Sequence, residues 1–203
     1  MKPVFSFRYC CLPLLTLLCP LSVQAAPYSF HLALGGCQLE VDATQNDPDF
    51  NRCNTYAMRG GYRVTSGFAL EGGYQYFNDS TTDRQTDLAG SYDTVFNSGN
   101  FLLGAEFSFP LTERLRPYLR AGGLHYEAKF TVHEYFEGDV EGGKDQIRDS
   151  GFGYYAGAGL EVGTRNSLMF TLELQQQVMP DLFSDSARPF DARYYSIMVG
   201  VGL

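Results

Sequence analysis

Residues 152–162 read Phe-Gly-Tyr-Tyr-Ala-Gly-Ala-Gly-Leu-Glu-Val, and this stretch decides the fold class. Every second residue from Phe152 to Val162 is apolar, whereas the residues between them are mostly glycine, with Tyr155 and Glu161. Alternation with a period of two is typical of a β-strand that shows two different faces to two different surroundings. About ten residues of such alternation is also the length with which a strand crosses a membrane.

The same alternation recurs in seven further segments, so the sequence predicts eight strands and requires no helix. In each segment the bulky side chains share one parity, and small residues with isolated charges share the other. The segments are 28–34, 55–64, 68–77, 101–109, 118–130, 168–175 and 193–203. In segment 118–130 the alternation shifts near Gly122 and Gly123, which predicts either a bulge or a close approach of two backbones.

The connections between these segments alternate strictly between long and short. Short turns are predicted at 65–67, 112–114 and 164–166, and the other four connections are long and polar. Short turns at one end and long loops at the other are typical of bacterial outer-membrane barrels. We therefore predict an all-β protein, an eight-stranded antiparallel up-and-down transmembrane β-barrel. The last strand has to pair with the first, because lipid cannot satisfy an open sheet edge.

Composition excludes several other classes of protein. The chain has 203 residues, 44% of them hydrophobic and 19% charged, with a net charge of -8. This excludes a disordered tail and a basic protein that binds nucleic acid. A soluble lipocalin-like barrel would carry many lysines outside, whereas only Lys129 and Lys144 follow residue 25.

The N-terminus predicts export. Lys2 and Arg8 precede an apolar stretch at 9–21, which leads into Val23-Gln24-Ala25, the pattern of a secretory signal peptide. We expect residues 1–25 to be cleaved and residues 26–203 to form a single barrel domain with a net charge of -10. Cleavage leaves two of the five cysteines, Cys37 and Cys53. In an exported protein these two predict one disulfide.

Residue size indicates which face of each strand looks inward. The uniformly bulky face suits lipid, and the face that combines glycine, alanine and serine with isolated charges suits a narrow lumen. Unpaired charges in such a confined space would be costly, so we expect them to form a lumen charge network, although separate solvation by lumen water is an alternative. The inward charges are Arg59, Glu71, Glu106, Arg120, Glu161 and Glu173.

Charge also predicts an orientation. The four long loops hold 17 acids and five bases, so they total -12, and the rest of the mature chain totals +2. We expect the long loops outside the cell and the short turns in the periplasm. The acids indicate ordinary solvation rather than a dedicated cation site. Residues 47–51 resemble a calcium loop but lack its glycine and its closing glutamate. His31, His125 and His133 are too scattered for a zinc site, so neither a metal nor a cofactor is predicted.

The segments 101–106, 110–123 and 151–161 resemble the small OmpA-like and OmpX-like outer-membrane barrels of Gram-negative bacteria. The resemblance implies a monomer that lies among outer-membrane lipid and lipopolysaccharide, with no peptidoglycan-binding domain. It also implies that the barrel assembly machinery recognises the last strand, although Leu203 stands where the family has Phe, and this chain has no Trp for the aromatic girdles. The outward residues of that insertion signal are Tyr195, Ile197, Val199, Val201 and Leu203.

The predicted function is structural or surface-interacting, through acidic outer loops that meet a host or surface ligand, and not enzymatic. One alternative is a narrow ion-conducting, porin-like pore. Another is a lipid A-modifying enzyme that uses His133 with the pairs Asp79-Ser80 or Asp149-Ser150. Asp-Ser pairs are more often turn formers, and no serine lies in a nucleophile motif. The sequence does not identify the ligand that the outer loops bind.

Overall fold

The computed structural model describes residues 27–42, 53–81, 85–86, 90–136, 140–164, 167–184 and 190–203. They form nine strands: β1 (Tyr28–Asp42), β2 (Cys53–Thr65), β3 (Phe68–Thr81), β4 (Gln85–Thr86), β5 (Ser91–Ser108), β6 (Leu115–Phe136), β7 (Val140–Val162), β8 (Met169–Leu182) and β9 (Phe190–Gly202). Among the described residues, no helix is long and apolar enough to span a membrane.

Eight of these strands form a closed antiparallel ring, in which β3 pairs with β5 and β1 pairs with β9. The two-residue β4 adds to β5 at one end. This arrangement confirms the predicted eight-stranded barrel, including the pairing of the last strand with the first.

The predicted extent of the long loops was wrong. β1 continues to Asp42 and β5 begins at Ser91, both well inside segments that the sequence assigns to loops. β6 and β7 are 22 and 23 residues long, twice the length that a membrane requires. Along the extension of β1 the alternation continues, with Cys37, Leu39 and Val41 buried and Gln38 and Glu40 exposed, so the sequence analysis ended this strand too early. Along residues 140–151 of β7, polar and charged residues occupy both faces, so hydrophobicity does not alternate there. Backbone pairing alone continues the strands there, and the sequence pattern does not show it.

Of the two explanations predicted for the shift near Gly122 and Gly123, the bulge does not occur, because the pairing of β6 with both neighbours runs through these residues without a shift. The alternative explanation, a close approach, holds at Gly122. A Cβ atom there would lie 2.8 Å from the Tyr155 ring and would also collide with the carbonyl oxygen of Leu103. Register shifts occur instead near the strand ends, for example between Glu134 and Tyr135.

An apolar belt surrounds the barrel, and the bulky parity faces outward as predicted. Large apolar side chains on this belt are exposed, at fractions as high as 78% for Phe152, which is typical of a surface covered by lipid rather than by water. Aromatic residues mark both ends of the belt. We call the row at the end with the long strands the outer girdle; it contains Tyr56, Phe101, Phe152, Tyr154 and Tyr195. The opposite row contains Tyr28, Phe30, Tyr62, Phe107, Phe109 and Phe170.

Cys37 and Cys53 form the predicted disulfide. They are direct partners in the register of β1 and β2, with a Cα–Cα distance of 4.9 Å. Both residues are buried among apolar side chains at the outer end of the lumen. The bond therefore fixes the first outer hairpin at its base.

Replacing both cysteines by serine should lower the free energy of unfolding by about 3 kcal/mol, because a cross-link that closes a loop of this size restricts the unfolded chain. The measurement is urea unfolding of the barrel in lipid vesicles, with and without a reductant. Reductant should lower the stability of the wild-type protein and leave the double variant unchanged. Alkylation of both thiols in unreduced mature protein would contradict the bond.

Candidate functional site

An ionic layer fills the half of the lumen that lies towards the short turns, and Glu173 on β8 is its centre. One carboxylate oxygen of Glu173, Oε2, lies 3.0 Å from Nη1 of Arg59 on β2 and 3.2 Å from Nη1 of Arg120 on β6. The same oxygen accepts a hydrogen bond from the Tyr118 hydroxyl at 2.9 Å. All four side chains are nearly inaccessible. A single oxygen thus joins three strands across the barrel.

Arg120 connects the remaining carboxylates of the layer. Its Nη2 donates to Glu106 Oε2 at 2.8 Å, and its Nη1 lies 3.7 Å from Glu71 Oε2. The guanidinium carbon also lies 4.6 Å from the centre of the Tyr118 ring, within the range of a cation–π interaction. The structure therefore brings together five of the six charged residues that the sequence singled out.

Glycines make room for these long side chains. Glu71, Gly104, Gly122 and Tyr155 are successive register partners on β3, β5, β6 and β7. The Tyr155 side chain crosses both glycines and donates to Glu71 Oε1 at 3.1 Å. Such a crossing requires that the intervening strands carry no side chain.

A second crossing has the same form. Tyr118 lies over its register partner Gly159 and reaches Glu173, the partner of Gly159 on the next strand. The alternation in 152–162 therefore has two consequences. It marks the segment as a strand, and its inward glycines leave the space in which the side chains of the lumen network cross.

Glu161, the sixth predicted member, has different partners. Its Oε2 lies 3.2 Å from Nη2 of Arg116, and its Oε1 lies 4.0 Å from Nε2 of His31. Sequence reasoning missed both partners, because Arg116 was not included among the inward charges and His31 was grouped with the scattered histidines. Arg116 has the same parity as Arg120 on β6, and that parity could have identified it as inward.

One trio in this layer has the composition of a metal site. Ligand atoms of His31, Glu106 and Glu161 lie within 4.8 Å of one another. Both carboxylates already bind guanidinium groups, Glu106 that of Arg120 and Glu161 that of Arg116. We therefore assign the trio to the charge network.

A layer of amides lies above the ionic layer, towards the long strands. Gln75 accepts from Arg59 at 3.1 Å and from Gln177 at 3.0 Å, and it donates to the Thr55 hydroxyl at 3.0 Å. Gln177 in turn accepts from Asn100. These buried side chains satisfy one another, so the layer carries hydrogen bonds without net charge.

Aromatic and aliphatic side chains close the outer end of the lumen. Phe77 stacks on Tyr194 with ring centres 3.9 Å apart, and Phe96 packs against both Tyr194 and Phe130. Phe77, Phe96 and Tyr194 are each fully buried. Together with the ionic and amide layers, this aromatic cap fills the interior with side chains along its length, as expected for eight strands.

The hairpin of β6 and β7 extends far beyond the outer girdle, and we call residues 125–151 of it the protruding hairpin. β7 pairs with β8 only over residues 154–162, whereas it pairs with β6 from residue 140 onwards. Within the described part of the chain, no strand pairs with the other edge of residues 140–153, although Phe183, just after β8, donates its backbone N–H to Asp149. This leaves an open sheet edge outside the apolar belt.

The residues considered for an enzyme have other partners. His133 Nδ1 lies 3.1 Å from Asp93 Oδ1, and the Tyr135 hydroxyl donates to the same carboxylate at 3.3 Å. Asp149 accepts from the backbone N–H groups of Phe183 and Ser150. Ser80 is buried, with its hydroxyl 3.4 Å from that of Tyr194. Asp47–Asn51 and the Asp79 side chain lie outside the described residues.

The terminal strand β9 presents apolar side chains to the lipid side. Tyr195, Ile197, Val199 and Leu203 are exposed, and Val201 is partly exposed on the same face. β9 pairs with β8 on one side and with β1 on the other.

Three comparisons place this geometry among known proteins. The model of the outer membrane protein beta-barrel domain family matches residues 12–203. No functionally curated protein sequence matches the chain.

Two solved structures are similar in fold at low sequence identity. Neisserial surface protein A (NspA) is 11% identical, with a TM-score of 0.54 over 86% of this chain and 96% of its own. The outer membrane protein OprG from Pseudomonas aeruginosa is 10% identical, with a TM-score of 0.52 over 87% of this chain and 95% of its own.

A third is Ail, the attachment invasion locus protein of Yersinia pestis, in complex with the heparin analogue sucrose octasulfate. It is 13% identical, with a TM-score of 0.50 over 87% of this chain and 99% of its own.

Proposed function

The chain belongs to the outer membrane protein beta-barrel domain family, and on that premise we propose that it is a surface-interaction barrel. In this proposal the protruding hairpin presents its open edge outside the cell, and a segment of a host or surface protein pairs with it as an added strand. Strand addition supplies affinity through backbone hydrogen bonds and specificity through alternate side chains.

The observation that carries the proposal is the one-sided pairing of residues 140–153. Beyond the girdle the hairpin continues for about twelve residues, or about 40 Å along the strands. A barrel that served only as a membrane anchor has no need of such an extension. Charged residues along β7, among them Lys144, Asp145 and Arg148, protect the edge against indiscriminate pairing.

The filled lumen argues against the pore alternative. An ion would have to displace the aromatic cap, then the amide layer, and then an ionic layer in which the carboxylates already bind guanidinium groups. Asp93 binds Nδ1 of His133 as the acid of a triad binds its base, but the candidate serines lie elsewhere. Ser80 is buried against Tyr194, and Ser150 is the register partner of Glu127, six residues along β6 from His133. The barrel therefore supports a binding role better than transport or catalysis.

The remaining elements of the proposal concern export and assembly. Residues 1–25 act as a cleaved signal peptide, and residues 26–203 form the mature domain. The barrel assembly machinery inserts the barrel as a monomer through the apolar residues of β9. The long-strand end, whose loops carry the excess of acids, faces the outside of the cell.

An epitope inserted after Asp87 should be accessible to antibody on intact cells, because it lies in a connection at the long-strand end. An epitope inserted after Thr164, in a short turn, should become accessible only after the outer membrane is permeabilised. Flow cytometry on intact and permeabilised cells measures both. The opposite labelling pattern would reverse the proposed orientation.

Shortening the protruding hairpin tests the binding role. In this variant an Asn-Gly turn replaces residues 127–150, which removes nearly all of the open edge, and Tyr126 and Gly151, which are register partners, stay paired. Adhesion of intact bacteria to epithelial monolayers and immobilised matrix proteins should fall to the level of cells that lack the protein. Sulfated glycans belong in the assay because Ail was solved with a heparin analogue.

The control for this experiment is the variant Arg114→Met, which changes an exposed residue in a short turn. It should leave adhesion unchanged. Both variants should keep the heat-dependent electrophoretic shift of a folded barrel. Full adhesion by the shortened variant would refute the strand-addition proposal.

A further inference from the structure

Two cations face each other on the outer wall of the protruding hairpin. Lys129 on β6 and Arg148 on β7 are direct register partners, and both share the outward parity of Phe152. Like charges directly opposite each other on antiparallel strands repel and destabilise the pair. In the described part of the chain, neither side chain forms an ion pair; Arg148 makes one long hydrogen bond to Gln146, at 3.5 Å. Among the described residues, no carboxylate therefore forms an ion pair with either of these two adjacent cations.

A concave site lies between them. A cavity of about 480 Å³ is lined by both cations, with His125 and Ser150 on the side towards the girdle. Two carboxylates also line it. Asp149 has inward parity and is bound to two backbone N–H groups. Glu127 is the one carboxylate with outward parity, so the cations outnumber it on this face.

Lys129 and Arg148 lie at the height of the lipid headgroups along the membrane normal. Along the register, Phe101, His125 and Phe152 form one row, and Asn97, Lys129 and Arg148 lie four residues further out. Four residues span about 13 Å along a strand, or about 10 Å along the membrane normal at the usual tilt. Long Lys and Arg side chains bend towards the interface, which brings their charges to the headgroup level.

We propose that Lys129 and Arg148 form a binding groove for the phosphate groups of the phosphorylated glycolipid that surrounds the barrel in the outer leaflet. The phosphate supplies a direct ion-pair partner, which neither cation has among the described residues. Arg offers paired donors to phosphate oxygens, and Lys adds a mobile point charge. This goes beyond the strand-addition proposal but rests on the proposed orientation, since the groove meets this leaflet only if the long-strand end faces outward.

The test uses the full-length mature barrel, purified free of lipid and titrated in detergent with two lipids, bisphosphorylated lipid A and the same lipid A after dephosphorylation. The variant is Lys129→Gln with Arg148→Gln. The control is Lys144→Gln with Arg114→Gln, which removes the same charges from exposed positions outside the groove. The heat-dependent electrophoretic shift of each variant reports whether it is folded. A charge-preserving double variant, Lys129→Arg with Arg148→Lys, should retain binding of lipid A.

We expect the groove variant to bind bisphosphorylated lipid A about 25-fold more weakly than wild type, since each cation near an anionic surface contributes roughly fivefold. The control should bind within about twofold of wild type, and all forms should bind the dephosphorylated lipid equally. Equal binding of the two lipids by wild type, or unchanged binding by the groove variant, would overturn the proposal.

A third outcome would reassign the groove. If the groove variant loses binding to soluble heparin and keeps its affinity for lipid A, the cations serve a sulfated polymer instead, and the lipid proposal fails. The titration does not depend on orientation in the cell. Its failure is therefore distinguishable from failure of the orientation, which epitope labelling reports separately.

Discussion

Replacing Arg120 by Met should destabilise the barrel by about 3–5 kcal/mol, the usual cost of leaving buried charges without their partner. Arg120 binds Glu106 and Glu173 directly and lies near Glu71, so its loss leaves an excess of negative charge in a closed space. Methionine keeps most of the side-chain volume, so the effect reports charge rather than a cavity. Urea unfolding in lipid vesicles measures it.

Two comparisons isolate the charge effect. Arg114→Met removes an exposed arginine from the short turn that precedes β6 and should change stability by less than about 0.5 kcal/mol. The double variant Arg120→Met with Glu106→Gln should be more stable than the sum of the two single changes predicts, because each removes the other's partner. Equal losses for Arg120→Met and Arg114→Met would show that the lumen charges are solvated separately.

Gly122→Val is the second change with a large expected effect, about 3–5 kcal/mol. The new side chain would occupy the path of Tyr155 and collide with the Leu103 carbonyl oxygen. Overpacking of this kind costs about 1–3 kcal/mol. Losing the hydrogen bond from Tyr155 to the Glu71 carboxylate adds about 1.5–3 kcal/mol.

The adjacent Gly123 provides a matched control. It faces outward, and a Cβ atom there would find its nearest neighbour, the carbonyl oxygen of Gly153, at 3.9 Å. Gly123→Val should therefore be tolerated within about 1 kcal/mol, because valine suits both a strand and lipid. Unfolding curves of the two variants should separate clearly. A similar loss in both would mean that backbone propensity, and not the crossing tyrosine, requires glycine at this position.

The sequence predicted the parts of the fold that lipid imposes. Lipid on one side and a narrow lumen on the other force a strict alternation, so the eight strands, their closure and the inward face of Arg59 or Glu173 follow from residue type and parity. The β7 strand of the protruding hairpin carries polar and charged side chains on both faces over residues 140–151, and no such alternation marks it. Its extension follows from backbone pairing with β6, which leaves little trace in side-chain type.

The sequence predicted which charged side chains face the lumen, but not which of them pair with one another. Parity places a side chain inside, whereas the register between strands decides which residue it meets. Register sets Glu71, Gly104, Gly122 and Tyr155 in one row, and no single segment contains that relation. The same reason explains why Arg116 was missed as the partner of Glu161, because the two lie on different strands and meet only through the pairing of β6 with β7.

The distribution of lumen charges around the ring has a consequence for the order of assembly. Arg59, Glu71, Glu106, Arg120, Glu161 and Glu173 lie on β2, β3 and β5 to β8, and none lies on β9. Of the two strands that meet at the seam, only β1 contributes a titratable inward group to the ionic layer, His31. Arg59 on β2 and Glu173 on β8 lie on opposite sides of the seam and form an ion pair across it, so the seam cannot separate widely without breaking that bond. A nascent barrel can therefore form the ion pairs among β5, β6, β7 and β8 while its first and last strands are still apart, and the pair between Arg59 and Glu173 forms as these strands close.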